Sequence, residues 1–268
     1  MNLNFHQTFK PEKKHITELI LLSGTNPSMT VEEISLATGI PTGLSSGKVV
    51  PHIEYAKFMG LIDYTQNNGK YNLSLTKLGK AIVEEDVSLS ENLTLILLHA
   101  MLIRENRGAD LWSFCFFKYA FKYGKKSNIS IFENEAKNYF SPNINLSPLR
   151  GCYEEFFHNL NILNFDKKNN IIQFNDLGYD SQFEYLYAYI LYEYWEIKYP
   201  NSNEISSVEF EKLNFGSAFC WTKKEESEIL EKLSEKRLIR LNKQLSPYTI
   251  LKITSKENLI DKLFDDML

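Results

Sequence analysis

The sequence lacks any apolar run long enough to cross a lipid bilayer. Its most apolar stretches, such as residues 93–98, are far shorter than the roughly 20 residues that a membrane-spanning helix needs. Residues 1–4 also lack the charged and apolar segments with which a signal peptide begins. These absences predict a cytoplasmic protein that does not associate with a membrane.

Cysteine and histidine are scarce, and neither shows the spacing of a metal site. Cys115, Cys152 and Cys220 lie far apart without a CxxC or Cys/His pattern, which argues against zinc and against a disulfide framework. His99 lies in an apolar stretch, where a core histidine is more common than a catalytic base. No nucleotide-binding, metalloprotease or hydrolase motif occurs, and the carboxylate pairs lack a neighbouring Lys or His. We therefore predict a non-enzyme with no catalytic residues, no metal and no cofactor.

The chain also lacks the excess of positive charge that is typical of strong nucleic-acid binding. Its formal net charge is −4, whereas nonspecific affinity for DNA comes from neutralising phosphates. The charge is distributed unevenly along the chain, since residues 1–80 carry eight lysines against six acidic residues. Residues 104–126 add six basic residues against two acidic ones. Any bound DNA is therefore expected on the N-terminal and middle parts, since the acidic excess lies mainly after residue 180.

Residues 30–76 carry the clearest structural pattern in the chain. Thr30 and Glu33 predict a capping box at the start of one helix, and a break around Gly39 separates it from a second helix that ends near residue 60. The Asn-Gly pair at residues 68–69 predicts a hairpin between two alternating apolar runs. Helix, turn, helix and hairpin in this order indicate a winged helix. Such modules commonly bind DNA, but they also dock proteins.

Eight polar residues of this module are the candidate DNA contacts. Val49, Ile53 and Ala56 predict the buried face of the second helix, so that polar side chains would lie on its other faces. The hairpin tip would lie against the flanking phosphates. The candidates are Ser45, Ser46, Lys48, His52, Lys57, Asn67, Asn68 and Lys70. The alternative is an ordinary Ser/Gly-rich helix start followed by solvated lysines.

The end of this module recurs twice along the chain. Residues 61–79 can be laid over residues 162–178 and, more loosely, over residues 233–257. Each copy reads as a helix end, a hairpin and the capped start of another helix, although the later copies lack a clear helix-turn-helix half. The helix start is expected at residues 175–178 in the second copy, and Thr254 with Glu257 predicts a capping box in the third. Three winged units on one chain are therefore our hypothesis. The alternative is that hairpins that follow helices resemble one another by chance.

Aromatic-rich helical segments separate the copies. Residues 90–103, 110–124 and 183–199 are apolar on most faces, which is typical of a buried centre. We predict a mainly α fold with small β-hairpins, in which tandem winged-helix units surround an aromatic-rich helical centre. The predicted domains are a winged-helix domain at 1–86, a helical domain with a second, degenerate winged unit at 87–180, and a C-terminal helical domain with a third winged-like unit at 181–268.

Several short motifs together resemble an uncharacterised bacterial domain family, over roughly residues 5–260. The motifs are His6-x-Thr8-Phe9, Gly47-Lys48, Met59-Gly60-Leu61-Ile62, Leu75-Thr76-x-x-Gly79, Asp86-x-x-Leu89, and Thr94-x-x-x-Leu98-His99 followed by Trp112-Ser113-Phe114. That family is encoded beside DNA sulfur-modification (phosphorothioation) and phage-defence genes. Gln7 stands where the family's Gly-His-Glu-Thr-Phe-like element has an acidic residue, so no role of that position is carried over. No catalytic residues are established for the family.

The resemblance implies a bacterial DNA-modification or phage-defence setting. Combined with the module at residues 30–76, it predicts a non-enzymatic DNA-binding or DNA-targeting accessory subunit. Its partners would be duplex DNA and other subunits of a defence or modification complex. The alternative is a protein-docking scaffold that uses its winged-helix units to bridge partner proteins, and the net negative charge of the chain favours that alternative.

Overall fold

The computed structural model describes residues 3–43, 47–244 and 246–265. This part of the chain is mainly helical and contains three small antiparallel sheets of three strands each. No helix in it has the length and apolar character needed to span a membrane. The predicted mainly α fold with hairpins is confirmed.

The first sheet lies within a compact group of three helices. The elements are α1 (Lys13–Ser23), β1 (Ser28–Met29), α2 (Val31–Thr38), α3 (Val49–Phe58), β2 (Ile62–Asn67) and β3 (Lys70–Leu75). The strand order is β1-β3-β2, so the last strand lies in the centre of the sheet. The predicted capping box is confirmed, since Thr30 Oγ1 accepts the Glu33 N–H and the Glu33 carboxylate accepts the Thr30 N–H. The hairpin is also confirmed, and Asn68 and Gly69 adopt φ of 48° and 74° at its turn.

The same order of elements occurs twice more. A π-helical segment (Phe114–Tyr119) runs into the second set, which is α7 (Ala120–Tyr123), β4 (Lys126–Asn128), α8 (Ile129–Tyr139), α9 (Ser147–Gly151), β5 (Leu163–Asp166) and β6 (Ile171–Phe174). The third set is α10 (Glu184–Lys198), β7 (Glu204–Ser206), α11 (Ser207–Glu211), α12 (Lys223–Glu235), β8 (Ile239–Asn242) and β9 (Thr249–Lys252). The strand orders β4-β6-β5 and β7-β9-β8 match the first sheet. The later copies therefore do have a helical first half.

That helical half was missed in the sequence, although β4 and β7, with three residues each, are longer than β1 with two. A local signal was nevertheless present in the third set. Ser206 with Glu209, and Thr222 with Glu225, form capping boxes at the starts of α11 and α12. Both pairs have the Ser/Thr-x-x-Glu spacing that identified α2.

Two predicted helix starts are wrong. No helix begins at residues 175–178 after the second hairpin, because Gly178 has a φ of 69° and the Leu177 N–H donates to the Phe219 carbonyl at 3.1 Å. After the third hairpin, Ser255 rather than Thr254 caps the next helix and accepts the Asn258 N–H. The remaining helices are α4 (Lys77–Glu85), α5 (Asn92–Leu102), α6 (Asp110–Ser113) and α13 (Lys256–Ile260).

An aromatic-rich helical centre joins the three sets. Every residue of α5 from Leu93 to Leu102 is buried, and α10 buries most of its length. Trp112 and Trp195 are fully buried. One hydrophobic cluster runs through the described part of the chain. The predicted buried centre is confirmed.

Gly79 lies where α4 passes the backbone of Leu61, and a side chain there has no room. A Cβ on Gly79 would lie 1.9 Å from the Leu61 carbonyl oxygen. Gly79→Ala is expected to lower the free energy of unfolding by about 1–3 kcal/mol. The control is Gly151→Ala, whose methyl group meets only the flexible side chain of Lys10, at 2.9 Å. Urea unfolding of both variants measures the difference, and equal stabilities would contradict the steric argument.

Candidate nucleic-acid interface

Helix α3, the predicted recognition helix, is covered on most of its surface. His52 and Tyr55 are fully buried, as are Ile53 and Ala56. The N-terminal segment lies over the helix, since the Tyr55 hydroxyl donates to the Phe9 carbonyl at 2.9 Å. Trp112 packs on the Tyr55 ring from the central helices, with the ring centroids 5.8 Å apart. His52 therefore supports the helix from within the core and presents no atom to solvent.

The start of α3 also offers little free charge. Lys48 forms an ion pair with Glu12 at 2.7 Å, and its side chain is only 27% exposed. The Lys48 ammonium also lies 5.6 Å from the centre of the Phe9 ring. Its positive charge is thus compensated by a carboxylate of the same chain. Ser45 and Ser46 lie outside the described residues.

The hairpin tip places the other predicted contacts in solvent. Asn67, Asn68 and Lys70 are all exposed at the end of the β2–β3 hairpin. Lys57, at the end of α3, is exposed as well, and its ammonium lies 4.5 Å from the centre of the Tyr64 ring on β2. These four side chains therefore project from the hairpin and from the helix end that supports it.

A cleft of about 640 Å³ opens at the base of this hairpin, between the first set of elements, the segment that follows α5, the middle of α10, and α13. We call it the basic cleft. Its lining has five cationic side chains and three carboxylates. The cationic residues are Lys57, Lys77, Arg104, Arg107 and Lys256, and the acidic ones are Asp63, Glu193 and Glu257. The lining is therefore net positive in a chain that is net negative.

Only part of this positive charge is available to a ligand. Arg104 and Lys256 both contact Glu193, at 2.9 and 2.7 Å, and Lys77 contacts an aspartate of the C-terminal segment at 2.8 Å. Lys57 and Arg107 are exposed and have no carboxylate partner within the described part of the chain. These two side chains are the unpaired cations of the basic cleft, and Asp63 and Glu257 of its lining are likewise without a cationic partner among the described residues.

Arg107 was not among the residues singled out from the sequence. Its signal was the basic composition of residues 104–126, but three of the six basic residues of that segment are paired with carboxylates in the fold. Lys122 pairs with Glu135 at 3.1 Å, and Lys125 pairs with Asp176 at 3.1 Å. Arg104 and Arg107 both line the basic cleft, and Arg107 is the one without a carboxylate partner in the described part of the chain.

The possible metal ligands of the described residues do not cluster into a metal site. Within residues 3–43, 47–244 and 246–265, no group of three or more His, Cys, Asp or Glu side chains is arranged to hold a metal ion. The three cysteines are all buried. Burial raises the pKa of the Cys220 thiol to about 12 and that of Cys152 higher still, so these thiols stay protonated near neutral pH.

Comparison with known proteins finds solved structures of similar fold but no matching sequence family. No protein-family model matches the chain, and no curated protein matches it. Two solved structures share its fold, an SspB crystal structure and a magnesium ion-bound SspB crystal structure. Each has a TM-score of 0.74 at 15% sequence identity, and the match covers 98% of this chain and 87% of the other. At this identity the likeness establishes a shared fold over nearly the whole chain.

Proposed function

We propose that each of the three repeated sets is a winged-helix unit. The support is the shared order of helix, strand, two helices and hairpin, together with a sheet whose last strand is central in every copy. In such units the hairpin is the wing that lies against a nucleic-acid backbone. The first unit has the longest hairpin, with strands of six residues each, and an exposed tip.

We further propose that the protein is a non-enzymatic, DNA-binding accessory subunit of a bacterial DNA-modification or phage-defence system. The resemblance of its short motifs to a family encoded beside phosphorothioation genes supports this setting. The SspB fold likeness is consistent with it. Other subunits of such a system are the proposed protein partners, and the chain acts in the cytoplasm.

The observation that carries DNA binding is that Lys57 and Arg107 are the unpaired cations of the basic cleft. Phosphate oxygens are the partners that such cations bind most generally. Asn67, Asn68 and Lys70 on the exposed wing tip are the further proposed contacts. Lys48 contributes only if a phosphate replaces Glu12, and α3 acts as the support of the wing.

Duplex binding through this surface is expected to depend on salt. Three phosphate contacts, at Lys57, Lys70 and Arg107, predict a log–log slope of roughly −2.7 for affinity against salt concentration. Fluorescence anisotropy with a labelled duplex measures it. Lys57→Glu combined with Arg107→Glu should abolish most of the binding and reduce the slope.

The matched control reverses two exposed lysines elsewhere, Lys137→Glu combined with Lys224→Glu, and so makes the same change in net charge. The control variant should retain most of the affinity. Equal losses in both variants would show that only the total charge matters. Absence of salt-dependent binding by the unmodified protein would remove the proposal altogether.

The non-enzymatic part of the proposal is tested by incubating supercoiled plasmid with the protein and magnesium. Conversion to nicked or linear DNA that follows the protein through purification would contradict it. The expected result is unchanged plasmid at protein concentrations that saturate the duplex in the anisotropy assay.

One observation favours the scaffold role as a second candidate. Leu36 on α2 is 89% exposed, beside a recognition helix that is itself covered. An exposed leucine on a short helix suits a protein contact better than a phosphate contact. Leu36→Asp should then release a partner subunit in co-purification while leaving duplex affinity unchanged.

A further inference from the structure

A second cavity lies on another face of the molecule, between α7 and the loop that precedes α12. Its volume is about 250 Å³. Phe116, Phe174 and Trp221 form aromatic walls, while Phe121 and the two lysines Lys125 and Lys223 also line it. We call this cavity the aromatic pocket. Pockets that combine apolar walls with a few polar groups are the usual form of small-ligand sites.

The Trp221 wall is held rigidly by its neighbours. Its ring stacks on Phe219 with centroids 4.0 Å apart and planes within 19° of each other. Tyr187 and Phe215 contact it edge-on at 5.2 and 5.9 Å. Phe215 and Phe219 are fully buried. A preformed aromatic surface of this kind costs little ordering entropy when a flat ligand binds against it.

Among the described Phe, Tyr and Trp residues, Phe121 is the most exposed. It is 74% exposed, although Phe121 itself lines a cavity with apolar walls. Lys125 lines the same cavity, and its ammonium pairs with the Asp176 carboxylate at 3.1 Å. Aromatic rings interleaved with lysines form the stacking surfaces that single-stranded nucleic acids use.

A buried carboxylate supplies hydrogen-bond acceptors to the pocket. Glu226 is 2% exposed, and its Oε1 accepts the Gly216 N–H at 2.8 Å. Its Oε2 accepts the Lys223 ammonium at 2.7 Å. Each carboxylate oxygen has a further lone pair, so the group can still accept N–H donors from a ligand.

We propose that the aromatic pocket binds the base of a nucleotide, with the ring against Trp221 and Phe121 and the phosphate at Lys125 in place of the Asp176 carboxylate. Glu226 would accept the N–H groups on the edge of the base. Two ligands share this chemistry, namely a free mononucleotide and an unpaired nucleotide in a DNA strand. This site lies apart from the basic cleft, and its occupancy does not depend on duplex binding there.

Tryptophan fluorescence provides a direct readout of this pocket. Trp112 and Trp195 are fully buried, whereas Trp221 is only partly buried and lines the cavity. Titration with deoxyguanosine and deoxyadenosine monophosphates should give saturable quenching. A short single-stranded oligonucleotide should quench at lower concentration if the source is a DNA strand, and only the mononucleotides should quench if the source is a free nucleotide.

Phe121→Ala should weaken the quenching affinity about tenfold, since stacking of one base on one aromatic ring contributes on the order of 1–3 kcal/mol. Leu36→Ala removes another exposed apolar side chain and should have no effect. Lys125→Ala should weaken binding of the mononucleotide but not of the free nucleoside, which lacks the phosphate.

Two results would overturn the inference. The first is an absence of saturable quenching, or quenching that Phe121→Ala leaves unchanged. The second is equal binding of N-acetylphenylalaninamide, which would assign the pocket to an aromatic side chain of a partner protein. The Lys57→Glu and Arg107→Glu double variant should quench as the unmodified protein does, so failure of the basic-cleft proposal remains distinguishable from failure of this one.

Discussion

Acidification from pH 7.5 to pH 5 is expected to lower the free energy of unfolding by about 6 kcal/mol, about 2 kcal/mol for each of three buried histidines. Burial lowers the pKa of His6 and of His52 to about 4, and that of His99 to about 3. A loss of this size is comparable to the whole stability of many domains. Most of this loss should precede the titration of the carboxylates.

The main cause of each lowered pKa is burial, which leaves a charged ring without solvation. At His99 and His52 the hydrogen bonds of the neutral ring also leave no acceptor for a second proton. At His99, Nε2 donates to the Ala218 carbonyl at 3.1 Å and Nδ1 accepts the Tyr153 hydroxyl at 2.9 Å. At His52, Nε2 accepts the Glu12 N–H at 3.1 Å and Nδ1 donates to the Lys48 carbonyl at 2.7 Å. A second proton would point at the Tyr153 hydroxyl in His99 and at the Glu12 N–H in His52, and both of these groups already donate to the ring. The buried cation would also lack solvation.

The direction of the effect follows from proton binding. An unfolded histidine takes up its proton near pH 6.5, whereas these folded rings remain neutral until about pH 4 or lower. Between those values the unfolded state binds more protons, so stability falls as the pH falls. Carboxyls with lowered pKa values, such as Glu193, lose their stabilising contribution only below their ordinary pKa of 4.5. The histidine window therefore lies above the carboxylate window.

Urea unfolding at several pH values measures this slope. His99→Gln should lower the free energy of unfolding at neutral pH. It should also remove the contribution of one histidine to the dependence of that free energy on pH. His158→Gln is the control, because His158 is exposed. A stability that stays constant between pH 7.5 and pH 5 would contradict the prediction.

Replacement of Glu193 by alanine is expected to cost about 3–5 kcal/mol, since it leaves the Arg104 charge buried without its carboxylate. Arg104 and Glu193 are both buried and lie 2.9 Å apart. Burial by itself would raise the pKa of the Glu193 carboxyl, but the charges of Arg104 and Lys256 outweigh it and hold that pKa below its ordinary value. The glutamate is therefore ionised in the interior.

This ion pair also joins distant parts of the chain. The Arg104 guanidinium donates to the Met101 carbonyl at 2.9 Å and to the Phe58 carbonyl of the first unit at 3.3 Å. Lys256, at the start of α13, bridges Glu193 and Glu196 at 2.7 Å each. Loss of Glu193 thus loosens the contact of the first unit with the centre and with the C-terminal helix.

Chemical denaturation distinguishes the buried charge from simple loss of volume. Glu193→Leu combined with Arg104→Met removes both charges, and it should be more stable than Glu193→Ala alone. Glu135→Ala breaks the exposed pair with Lys122 and should change stability little. A Glu193→Ala variant within about 1 kcal/mol of the unmodified protein would show that water reaches Arg104.

Much of the fold was predictable from short-range patterns. The Thr30 capping box and the Asn-Gly hairpin depend on hydrogen bonds between residues a few positions apart, and both occur as predicted. The apolar segments at α5 and α10 predicted the buried centre. The helix expected after the second hairpin failed because the Leu177 N–H bonds to Phe219, a partner 42 residues further along the chain.

The candidate site was less predictable, because exposure depends on what packs over a helix. The spacing in α3 identified one apolar face, but the N-terminal segment and Trp112 bury His52 and Tyr55 from the other side. Lys48 lost its free charge to Glu12, which lies 36 positions earlier. The sequence contains all of these residues without indicating that they meet.

By itself the sequence determined the Thr30 cap, the Asn-Gly turn and the segments that avoid water, since these depend on neighbours within one or two turns. Only the tertiary structure decided which cations remain free. Lys57 and Arg107 share a cleft while other basic residues find carboxylates far away in the chain. Charge pairing and burial depend on distances in space, and the packing of the three units sets those distances.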